Sequence, residues 1–60
     1  MRDPKRIKRV IKLLESAWHR VPDYRLCQLI VNVSKQNDPF YMEDDKFEEE
    51  LKRMMKEKII

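Results

Sequence analysis

Sixty residues, 42% apolar, 42% charged and 8% aromatic, describe one small folding unit: too apolar for a wholly disordered chain, yet of a size that buries only about 60% of its unfolded surface. Lys and Arg total 14 against 11 Asp and Glu, a net charge of +3, and the charges are spread so that no apolar run reaches the roughly 18 residues a membrane span requires. They also recur through the first fifteen residues, where a signal peptide would carry its apolar stretch, and a lone Cys27 excludes an internal disulfide, so a reducing cytoplasm is the expected setting.

The first expected helix spans about residues 4–19. Asp3 is a good N-cap, and Pro4 follows at the first helical position, where its missing N–H costs nothing. Ile7, Val10, Ile11, Leu14, Ala17, Trp18 and Val21 then form an apolar stripe of helical period. Pro22 biases Val21 away from helical geometry and ends the helix, and Asp23 stands where it could cap the next one. The chain has no glycine, so its helices should end on proline and polar residues rather than on a glycine C-cap.

The second helix, about 24–34, carries Leu26, Leu29, Ile30 and Val33 on one face, with Cys27 and Val31 widening it; Cys27 reads as a small buried hydrophobe. With so short a corner between them, the first two helices are expected to pack against each other as an antiparallel hairpin, with Trp18 buried at the corner among Leu14, Leu26, Leu29 and Ile30. The polar cluster Ser34-Lys35-Gln36-Asn37-Asp38-Pro39 reverses the chain. At least one of Phe40, Tyr41 and Met42 should plug the end of the two-helix layer.

The third helix, about 45–58, is expected to start from Asp44 or Asp45, the latter with Glu48 at the spacing of a capping box. Its acids lie early and its bases late, which suits the helix dipole, and Glu48–Lys52 and Glu49–Arg53 are attractive i, i+4 pairs. Phe47, Leu51, Met54, Met55 and Ile59 recur near a 3.5-residue spacing. A chain this short has neither disulfide nor metal to supplement its core, so that stripe is the expected interface of an isologous homodimer or the dock for a partner helix.

Charge is strongly segregated. Residues 1–20 carry +5 and residues 38–50 carry −6. Either the acidic start of the third helix lies against the basic start of the first, or the basic face is open to a polyanion. In the second case Lys5, Lys8, Arg9 and Lys12 would meet phosphates, and Arg25, Gln28, Asn32 and Lys35 on the second helix would read bases, the corner resembling the opening of a helix-turn-helix. Catalysis and metal binding find no support: Pro22 separates His19 from Asp23 and Cys27, no third group orients a nucleophile, and Glu43-Asp44-Asp45 lacks the spacing of a calcium loop. No catalytic, cofactor or metal residues are assigned, and no cofactor is expected.

The run Lys5-Arg6-Ile7, Val10-Ile11, Leu13-Leu14, Ala17-Trp18, Pro22-Asp23-Tyr24, Leu26, Gln28-Leu29-Ile30 resembles the opening half of the YihD-like family, small bacterial proteins of unknown function. The resemblance covers roughly residues 5–33, with Asp44-Asp45 and Leu51-Lys52 as weaker matches. It implies an α-helical cytosolic domain and supplies no mechanism. The expectation from the sequence is therefore a single all-α three-helix domain over residues 1–60. It reads as a non-enzymatic binding or regulatory protein acting through protein contacts, with a nucleic-acid-binding module as the alternative.

Overall fold

The computed structural model describes residues 2–36 and 38–60, and Asn37 of the expected polar turn lies outside them. The chain forms α1 (Lys5–Arg20), α2 (Leu26–Ser34), a single 3-10 turn at Pro39–Tyr41, and α3 (Asp44–Lys56), with no strand among the described residues. Three helices within one or two residues of their expected bounds make the domain all-α.

Helix ends are set by specific side chains. Asp3 Oδ1 accepts the Lys5 N–H at 2.9 Å, and Pro4 leads into α1 at φ −66°. Asp23 does not cap α2. That helix starts two residues later than expected, with Arg25 extended at its N-cap and Gln28 Oε1 accepting the Arg25 N–H at 2.9 Å, one half of a capping box. Asp45 is not an N-cap either: Glu43 takes that place, and Glu48 turns toward α1 instead of back to the helix start. At their carboxyl ends α2 and α3 place lysines in left-handed backbone, Lys35 at φ 59° and Lys58 at φ 58°. Ile59 N–H reaches Met54 O at 2.9 Å and Lys58 N–H reaches Met55 O at 3.3 Å, a Schellman ending made without glycine.

The expected α1–α2 hairpin is corrected: α3 is the element packed on both of the others. Ala17 of α1, Leu29 and Val33 of α2, and Leu51 and Met54 of α3 are the buried core, with Leu13, Leu14, Trp18, Val21, Phe47, Met55 and Ile60 packed around it. The cause is the strong amphipathic stripe of α3. Leu51 is fully enclosed and Met54 nearly so, which leaves them no role in an interface between copies. Of the stripe expected at an interface, Phe47 and Met55 are half-buried and only Ile59 is exposed.

α1 and α3 run parallel, as their ion pairs show in sequence: Arg2 with Glu43, Arg6 with Asp44, Arg9 with Glu48. The first turn of α1 holds no acid, and its bases there oppose its own dipole. The acidic start of α3 supplies the missing negative charge. At the other end Arg20 Nη1 donates to Met55 O at 2.9 Å, tying α1 to the carboxyl end of α3.

Candidate interaction surface

Arginines and lysines of the N-terminal segment have separate fates. Arg2, Arg6, Arg9 and Arg20 all turn toward α3, whereas Lys5, Lys8 and Lys12 are exposed and without an ion-pair partner among the described residues. The planar guanidinium fork suits this use. Arg9 binds Glu48 through two bonds, Nε to Oε2 at 2.7 Å and Nη2 to Oε1 at 3.1 Å, with Lys52 Nζ at 3.7 Å from the same carboxylate. The hydrogen bond from Arg9 holds Glu48 below its ordinary pKa against the desolvation of its buried carboxylate, and Arg9 is raised in turn. Asp44 is lowered by its bond from Arg6, and Glu50 by its bond from Arg53. Arg53 joins Glu50 and Glu57, so the Glu49–Arg53 pair expected from spacing is replaced by i, i+3 and i, i+4 neighbours on the other side.

These contacts engage three of the eight residues expected on the polyanion stripe. Arg9 is committed to Glu48, Gln28 to the start of α2, and Lys35 Nζ lies 3.7 Å from Glu50. Arg25 at the N-cap of α2 and Asn32 within it are exposed, while Lys5, Lys8 and Lys12 lie on the solvent side of α1. Of the eight residues the structure thus groups the three lysines on α1 and, apart from them, Gln28 with Asn32 on α2.

The apolar surface lies where the sequence did not place it. Trp18 is half-buried rather than enclosed, its Nε1 donating to Tyr24 O at 2.8 Å. Beside it runs a groove of about 530 Å³ walled by Ile11, Leu14, Trp18, Pro22 and Leu26, with Glu15 and His19 on its rim. Ile7 and Ile11 are 54% and 57% exposed on the same helix face. A second concavity of about 530 Å³, on α2, is lined by Tyr24, Cys27, Gln28, Val31 and Asn32; Cys27 is exposed there, contrary to its expected burial. Phe40 and Tyr41 also face outward, 79% and 86% exposed, their rings edge-to-face at 4.9 Å; Pro39 and Met42 are the residues of this segment that turn inward.

Among the described residues no three His, Cys, Asp or Glu side chains converge as metal ligands, and no helix is long and apolar enough to cross a membrane. No family model, curated protein or solved structure matches the chain.

Proposed function

We propose that this chain is a non-enzymatic binding or regulatory protein that acts through protein–protein contacts, with itself or with a partner, using the face of α1 and the α1–α2 corner. One observation carries the reading: Ile7 and Ile11 are more than half exposed beside an apolar groove, in a domain whose other aliphatic helix positions are mostly in or against the core. An apolar patch of this kind is costly to leave in water and marks a contact surface. The resemblance to YihD-like proteins and the single cysteine support a bacterial cytoplasmic setting.

A photo-crosslinking amino acid at position 11, in living cells, tests the reading, with position 56 on α3 as the control. Protein adducts at position 11 and few at position 56 are expected. Equal labelling, or none at position 11, would overturn it.

A further inference from the structure

The exposed face of α1 is built to receive its own copy. Ile7, Ile11, Leu14 and Trp18 follow the 4-3-4 spacing of a coiled-coil seam. The seam divides by shape: Ile7 projects from the amino-terminal half, Ile11 is exposed and forms the near wall of the groove, and the groove at Leu14, Trp18 and Leu26 receives at the carboxyl-terminal half. Knob and hole on one helix are what a two-fold, isologous contact requires. We infer that two copies pair through antiparallel α1 helices, Ile7 against the partner's Trp18 and Ile11 against the partner's Leu14. This rests on the protein-contact reading and names its occupant as a second copy.

Charge selects both the occupant and the direction. Lys8 and Glu15 lie one heptad apart on the same flank of the seam, both exposed and, among the described residues, neither in an ion pair. When a-type and d-type positions face each other across an antiparallel pair, the flanking positions pair with their own kind. Lys8 then meets the partner's Glu15, and the two-fold axis repeats the contact. A parallel pair sets each flanking residue against the partner residue five positions earlier, Lys8 against Asp3, which lies ahead of α1 and already accepts the Lys5 N–H, and Glu15 against Val10, so Glu15 meets no base. Lys5, Lys8 and Lys12 stand one turn apart and repel one another in the single chain. The partner's Glu15 is the acid that relieves them. A flat bilayer could use the lysines but would leave the recess beside Trp18 unfilled.

Sedimentation equilibrium on the whole chain, from about 1 μM to about 1 mM, tests this with three charge variants. The wild type should dimerise. Lys8→Glu and Glu15→Lys should each weaken dimerisation about tenfold, since each turns two attractive contacts into repulsive ones, and the double variant should recover most of that loss. Ile11→Asp should be monomeric with helicity unchanged by circular dichroism, its side chain being mostly in water already. A dimer that ignores Ile11→Asp, or single losses that the double swap does not repair, would overturn the antiparallel pairing. A wild type monomeric throughout would also overturn it. In that case crosslinking from position 11 to a different protein would leave the wider reading standing, and no crosslinking would remove both.

Discussion

Two residues in left-handed backbone show what the absence of glycine costs. Lys35 and Lys58 close α2 and α3 at φ near 60°, where a Cβ crowds the following carbonyl. Lys58 makes no side-chain hydrogen bond or ion pair among the described residues, so Lys58→Gly removes strain and loses little. It should raise stability by about 0.5–1 kcal/mol, a rise of roughly 4–8 °C in Tm per kcal/mol for a domain this small. Lys35→Gly should gain less, because Lys35 also approaches Glu50, and Lys56→Gly inside the last turn of α3 should lose stability. Thermal melts of the three variants check the order.

Among the elements, α3 carries the fold because it alone packs on both of the others. Leu51 is fully enclosed, so Leu51→Ala should cost about 2–5 kcal/mol, a large share of the stability available to sixty residues. Phe40→Ala, on a ring mostly in solvent, should stay within about 0.5 kcal/mol. Urea titrations of both variants measure the difference. The existence and bounds of α1 and α3 were legible because proline, acid placement and helical period agree at their ends. The start of α2 was displaced because Asp23, directly after Pro22 and three residues before Leu26, signals a cap, and nothing local says that Gln28 takes the Arg25 N–H instead. The stripe of α3 announces that a face will be covered without saying by what. Here Ala17, Leu29 and Val33 cover it within the chain, and the uncovered apolar face falls on α1. The arginines that join α1 to α3 did leave a signal, since Arg2, Arg6 and Arg9 follow i, i+4, i+7 while Lys5 and Lys8 fall between them and Lys12 beyond.

For the whole molecule, the segregation of charge makes stability depend on acid more than on base. Asp44, Glu48 and Glu50 all titrate below their ordinary values of 3.8, 4.5 and 4.5 in the folded chain, each chiefly because an arginine donates a hydrogen bond to it. A carboxylate with a lowered folded pKa contributes stability that is fully present above its unfolded value and lost as pH falls through the folded one. Arg9 and Arg53 are raised, so their share is complete throughout the acidic and neutral range. Tm should therefore hold steady across neutral pH and begin to fall once the pH drops below about 4.5, continuing below the ordinary carboxylate range. Glu48→Gln isolates the central contact. Its buried amide keeps a hydrogen-bond acceptor for Arg9 but leaves the guanidinium without its counter-charge, so Tm at pH 7 should be lower than for the exposed Glu49→Gln. The gap between wild type and Glu48→Gln should then narrow on acidification, because the wild-type carboxylate becomes neutral too. Melting curves between pH 7 and about pH 2 decide it: a gap that stays constant across that range would mean that the Arg9–Glu48 charge pair contributes nothing and that only the packing of residue 48 matters.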